Sequence, residues 1–138
     1  LKSDVVDLVL HAVNGTLDRI EAEWDRRVAL GVVLAAHGYP LSPRAGDAIE
    51  GLDRVTPQTH PDCKVFHAGT ALDRGNVVVA GGRVLCVTAL GDSLKQAQRV
   101  AYAAVGEIHF AGMQYRRDIG HRALAVRPST PDAPPARR

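Results

Sequence analysis

The residues of this chain that could do chemistry are few, and the most suggestive stand in one stretch, GGRVLCVTALGDS, Gly81 to Ser93. A glycine pair beside an arginine could cradle a phosphate, because glycine lets a ligand approach the backbone and a guanidinium grips oxyanions bidentately. The spacing does not fit the common cradles. A dinucleotide fingerprint needs GxGxxG after a strand and opening a helix, whereas Gly81 and Gly82 precede a strand. Walker A needs GxxxxGK[ST], and no segment matches it. The helix that should open near Ser93 has Asp92 at its mouth, an acid that repels phosphate. The glycine pair is therefore expected to supply the positive φ of a hairpin turn. Arg83 remains a candidate for binding an anion, against the plain alternative of a solvated arginine.

His67, in KVFHAGT, is a second candidate. Strand alternation would put it on one face with Val65, and Phe66 with Ala68 on the other. A histidine there is more often structural than catalytic. His109 is expected to end a long helix, where a cation is electrostatically welcome. The remaining histidines show no metal-ligand spacing, and no metal site is expected. Cys63 and Cys86 form no CxxC pair, and no GxSxG nucleophile appears. Cys86 reads as a small buried apolar residue, and both thiols as reduced. Asp4 and Asp7 are better read as complementing a helix dipole than as a catalytic pair. No catalytic residue is assigned.

The elements that must position these groups follow from periodicity and punctuation. Ser3 can cap a helix in which Val6, Leu10 and Val13 share a face, ended by Asn14-Gly15. Thr16 to Arg27 is a charged connector with room for one helical turn. Val28 to Ala36 is a buried strand, His37 to Asp47 a Gly/Pro loop, AIEGL a short strand and DRVTPQTHPDC a second loop. Lys64 to Ala80 reads as one hairpin turning at Asp73-Arg74-Gly75, and Arg83 to Gly91 as the next strand. From Ser93 to Phe110, apolar residues at Leu94, Ala97, Val100, Ala101, Ala104, Val105 and Ile108 have helical spacing. A short last helix is expected from Asp118, then a disordered proline-rich tail over residues 125–138. The fold class is α+β: an antiparallel or mixed sheet with hairpins, packed by one long helix.

Composition bounds the rest. The 138 residues suffice for one domain with its own core, and the aromatic content of 4% makes that core aliphatic. Seventeen basic against fifteen acidic residues is too balanced for a nucleic-acid binder, and the arginines are scattered. No apolar run approaches a membrane span, so neither nucleic acid nor membrane is an expected partner. The sequence opens at Leu1 within what reads as a helix, and is expected to be a piece of a longer polypeptide.

Several segments together resemble a known family. HAGT, GGRVLCVTALGDS with AQRVAYAAVGEIHF, and MQYRRDIGHRAL resemble the C-terminal region of the phosphoribosylamine–glycine ligases (glycinamide ribonucleotide synthetases), members of the ATP-grasp superfamily. KSD, EWD and LGVVLAAHGYP resemble the segment just upstream. The resemblance runs from Leu1 to about Leu124 and is weak over residues 44–62. It implies an ATP-dependent carbon–nitrogen ligase that joins glycine to 5-phospho-D-ribosylamine through a glycyl phosphate, releasing ADP and phosphate, in the cytoplasmic synthesis of purines. It implies ATP and Mg²⁺ or Mn²⁺, bound mainly by a region this chain lacks, so that the chain alone would be inactive. By the same resemblance residues 1–27 would be the terminal helix of an ATP-grasp domain and a connector, and residues 28–124 a C-terminal domain closing one wall of the active site. Its partners would be glycine, phosphoribosylamine and the N-terminal and ATP-grasp domains of the same enzyme. Arg83, His67, Gly82 and Lys2 would then be substrate-binding candidates. The alternative is a stand-alone, non-catalytic interaction module derived from this domain.

Overall fold

The computed structural model describes residues 1–125. Along the chain come α1 (Val5–Val13), β1 (Val28–Ala35), β2 (Cys63–His67), β3 (Thr70–Asp73), β4 (Asn76–Val79), β5 (Arg83–Gly91), α2 (Leu94–Glu107) and α3 (His121–Ala125). The class is α+β. β5 lies between β1 and β2, antiparallel to both, while β3 and β4 form a separate two-stranded sheet.

Strand alternation gives the three-stranded sheet two unlike faces. Leu34 pairs with Leu85, Val32 with Val87 and Leu30 with Ala89, and all six are buried. α2 packs on this face through Ala97, Ala101, Ala104 and Val105. Alanine at three of those four positions lets the helix backbone approach the sheet closely. Each fully buried valine or leucine here contributes about 1.5–3 kcal/mol. The helix starts where its sequence says it should: the Ser93 hydroxyl accepts from the Gln96 amide at 3.2 Å. The Gln96 side chain reaches back to accept from the Asp92 amide at 3.1 Å. On the opposite face Cys86 lies between its partners Val33 and Phe66, and Thr88 between Gly31 and Lys64. It carries no helix, and Phe66 stays 51% exposed there.

Several expectations need correction. Lys64 to Ala80 is not one hairpin: β2 joins β5 in the larger sheet, and only β3 and β4 form the hairpin. The chain changes sheets at Ala68-Gly69, where the Gly69 amide donates to the Arg83 carbonyl at 2.7 Å and the Ala80 amide to the Gly69 carbonyl at 2.8 Å. A Cβ on Gly69 would come within 2.7 Å of the Arg83 carbonyl oxygen and 2.8 Å of the Gly81 Cα, so only glycine lets these backbones cross. Nor do Gly81 and Gly82 supply a positive φ. Their lack of a side chain serves close approach instead, to Gly69 and to the Tyr39 ring respectively. Third, α2 stops at Glu107, so His109 does not end a helix; it forms an antiparallel bridge with Glu50. AIEGL accordingly makes isolated bridges through Ala48 and Glu50 rather than a strand.

The N-terminal segment is built differently. Asp4, not Ser3, caps α1, its carboxylate accepting from the Val6 amide at 2.8 Å. The Ser3 hydroxyl instead accepts from the Glu23 amide at 2.7 Å, and the Lys2 ammonium pairs with the Glu23 carboxylate at 2.6 Å. The connector is thus folded back on the residues before α1, with one 3₁₀ turn at Leu17–Arg19. α1 buries none of its residues: Val5, Val6, Val9, Leu10 and Val13 are all exposed, Val13 by 78%. Arg27 ties the connector's end to the domain, bonding Asp25 and Asp62 at 2.8 Å each. α3 begins at His121, three residues later than expected, and residues 126–138 of the expected tail lie outside the described residues.

Candidate anion-binding cleft

On the helix-free face of the sheet, the start of β5 opens into a cleft of about 690 Å³. One wall is the strand itself, with Gly82, Arg83 and Cys86; the other is the His37–Asp47 loop, with Tyr39, Pro40 and Pro43. A second lobe of about 440 Å³ continues past Arg83 to Gln114, Tyr115 and Arg116. Val33, Tyr39 and Arg83 line both lobes. The volume of the first is in the range of small-molecule sites.

Local backbone geometry presents Arg83 there. The β1–β5 register shifts between Leu34 and Ala35: Leu34 faces Leu85 but Ala35 faces Arg83. Val84 is the extra residue of this bulge, and it is buried like Leu85, so alternation breaks and Arg83 emerges exposed. Bulges commonly re-aim side chains in this way. The second lobe is brought in by a bridge on the far edge of β1, where Ala35 and Gln114 exchange backbone hydrogen bonds of 2.8 and 2.9 Å. The Tyr102 hydroxyl holds the next turn by donating to the Arg116 carbonyl at 2.7 Å.

The electrostatics are one-sided. No aspartate or glutamate lines either lobe. The guanidinium of Arg116 is committed to Asp118, which it meets at 2.6 and 2.9 Å, and it holds that carboxyl below its ordinary range. Arg44, beside the loop, pairs with Asp47 at 2.7 Å. Arg83 has no ion pair among the described residues. An uncommitted guanidinium in a cleft without carboxylates is suited to a carboxylate or phosphate, which it can grip bidentately.

Of the sequence-level candidates, Arg83 and Gly82 line the cleft together. His67 stands just outside it; its neighbours Ala68 and Gly69 are lining residues, while its own ring sits 3.1 Å from the Thr70 hydroxyl. Lys2 is elsewhere, in a separate hollow with Glu23 and Trp24. Cys86 is half-buried in the cleft wall rather than in the core, and both cysteines are free thiols. Burial pushes the Cys63 thiol up. Sequence reasoning missed Tyr39, Gln114 and Tyr115. For Tyr39 the available signal was an aromatic residue between glycine and proline in a chain with few aromatics. Among the described residues, no group of three or more His, Cys, Asp or Glu side chains is placed to hold a metal ion, and no helix is long and apolar enough to cross a membrane.

Comparison with known proteins gives a consistent result. Residues 29–122 match the family described as phosphoribosylglycinamide synthetase, C domain. The chain is 52% identical over 124 residues to the phosphoribosylamine–glycine ligase of Ralstonia nicotianae, covering 90% of this chain and 28% of that protein. It is 56% identical over 126 residues to the enzyme of that name from Xanthomonas campestris pv. campestris, covering 91% and 28%. The crystal structure of the phosphoribosylamine–glycine ligase of Thermotoga maritima is similar at 35% identity with a TM-score of 0.64, over 80% of this chain and 27% of that one. The chain therefore spans a little over a quarter of the length of these relatives.

Proposed function

This chain belongs to the family of phosphoribosylglycinamide synthetase C domains, and from that premise we propose that it is the C-terminal portion of a ligase joining glycine to 5-phospho-D-ribosylamine at the expense of ATP. The observation that carries this is the identity of 52–56% to enzymes named phosphoribosylamine–glycine ligase, sustained over nine-tenths of the chain. Nothing in the structure favours a free-standing interaction module over this reading. ATP and Mg²⁺ or Mn²⁺ belong, in this proposal, to the larger part of the enzyme. Among the described residues no cluster of His, Cys, Asp or Glu is placed to hold such an ion. The setting is cytoplasmic.

The domain assignment follows the same proposal. Residues 28–124 form the C-terminal domain, with its own core. Residues 1–27 close the preceding ATP-grasp domain, and the exposed apolar residues of α1 pack on it. An amphipathic helix that buries nothing within its own chain is the expected appearance of a helix whose partner lies elsewhere in the polypeptide.

What this chain supplies to the reaction is binding. Arg83, with Gly82 beside it and His67 at the rim, contacts the carboxylate of glycine or the phosphate of phosphoribosylamine; Lys2 is a further candidate on the upstream segment. Fixing the acidic end of a substrate against an oriented guanidinium reduces the entropy lost on reaching the transition state. The test is steady-state kinetics of the full-length ligase carrying Arg83→Ala. Loss of a charge-assisted pair predicts a KM for one acidic substrate raised about 10- to 100-fold. Unchanged KM values for both glycine and phosphoribosylamine would remove Arg83 from the site. If the full-length protein forms no glycine-dependent ADP at all, the ligase reading itself is wrong.

A further inference from the structure

We infer that Tyr39 is the specificity-determining wall of the Arg83 cleft, and that Gly82 is a positioning residue that holds the tyrosine ring there. The inference rests on the reading of Arg83 as a substrate contact and goes beyond it. Tyr39 and Arg83, together with Val33, line both lobes. An organic acid whose charged end meets Arg83 has the Tyr39 ring as a neighbouring wall in either lobe. The ring is close against the Gly82 backbone: a Cβ on Gly82 would lie 2.6 Å from Tyr39 Cδ2 and 3.0 Å from Cε2. No real Cβ tolerates the first of these distances, so any side chain at position 82 displaces the ring.

The loop cannot drift away to make room without breaking its own bonds. The Ala36 amide donates to the Gly82 carbonyl at 2.9 Å, the Arg44 amide to the His37 carbonyl at 2.9 Å, and the Ser42 amide to the Gly38 carbonyl at 2.9 Å. The first bond ties the residue before the loop to Gly82 and the other two close the loop on itself, which holds the backbone on both sides of the contact. Gly82 has no left-handed φ to satisfy, so contact with Tyr39 and Pro43 is the reason for glycine at this position that the structure offers. The ligand class is a small organic anion with a polar body, and the acidic substrates of the proposed ligase, an amino acid and a sugar phosphate, both qualify.

The experiment is a double-mutant cycle in the full-length ligase, measuring KM separately for glycine, phosphoribosylamine and ATP, with Arg83→Ala as reference. Tyr39→Ala is expected to raise the KM of the same acidic substrate that Arg83→Ala affects, about tenfold, with kcat and the KM for ATP within about twofold of wild type. Tyr39→Phe recovers most of that loss. Gly82→Ala matches Tyr39→Ala, and adding it to Tyr39→Ala has no further effect, because no ring remains to displace. Thermal unfolding of the 138-residue chain gives a readout independent of activity: Gly82→Ala lowers Tm, and Tyr39→Ala cancels that drop. If Arg83→Ala acts while Tyr39→Ala and Gly82→Ala do not, the wall is refuted and the substrate contact stands. If Arg83→Ala has no effect on any KM, both fall together.

Discussion

At the scale of single residues, the strongest local electrostatics lie at the junction of connector and domain, not in the cleft. The Arg27 side chain donates to both oxygens of Asp25, at 3.1, 3.2 and 2.8 Å, and the Arg27 amide donates to it at 2.9 Å. These bonds, side chain first and backbone second, hold the Asp25 carboxyl well below the usual carboxylate range, while Asp25 in turn raises Arg27. A carboxyl depressed in the folded state stabilises it above the unfolded value of about 4. That stabilisation is lost progressively as pH falls below the unfolded value and is gone once pH has passed the lower folded value. A ¹³C titration of the side-chain carboxyls should therefore show Asp25 still ionised at pH 3, and Arg27→Ala should return its midpoint to the ordinary range. Normal titration of Asp25 in the wild-type chain would contradict the pairing. Arg83 was legible in the sequence because glycine beside a cation is an unusual local combination. Tyr39 was not, because its importance arises only when residue 82 comes to lie against it. The Arg27–Asp62 pair, 35 positions apart, was unreadable for the same reason.

At the scale of elements, α2 and β5 were the most legible. Their signals are local: a serine cap, a 3.6-residue apolar period and a Val/Leu run ending in glycine. The break between β2 and β3 was not, because KVFHAGTAL has strand composition throughout. What divides it is a tertiary contact, the crossing of Gly69 over Gly81 and the Arg83 carbonyl. This contact gives a test. Gly69→Ala forces a methyl group onto backbone atoms that cannot rotate away, and should cost about 1–3 kcal/mol in chemical denaturation of the chain. Amide exchange should rise at Ala80 and Gly69, whose bonds lie at the crossing. A wild-type denaturation midpoint in the variant would mean that the crossing is looser than its geometry. The cap of α1 was misplaced by one residue because Ser3 and Asp4 are both good caps; Ser3 is used by the Glu23 amide instead.

At the scale of the molecule, the chain is a domain with a core of its own and an upstream helix that shares none of it. Leu10→Lys, on the exposed face of α1, should change the stability of the isolated chain by less than about 0.5 kcal/mol. In a full-length protein with α1 docked as proposed, the same change would bury an unpaired charge, and a lowered Tm there is expected. An unchanged Tm on mutation in the full-length protein would leave α1 without a docking partner. The sheet order carries one more consequence. β5 is the middle strand, yet the ribosome makes it after both of its neighbours. β1 and β2 do not pair with each other, so neither has a ladder to join while the intervening chain is being synthesised. Neither ladder of this sheet can form until β5 has been made. Until then VALGVVLA, uncharged and rich in valine, is an open template for any other strand in the cell, and nascent-chain protection matters most at that stage.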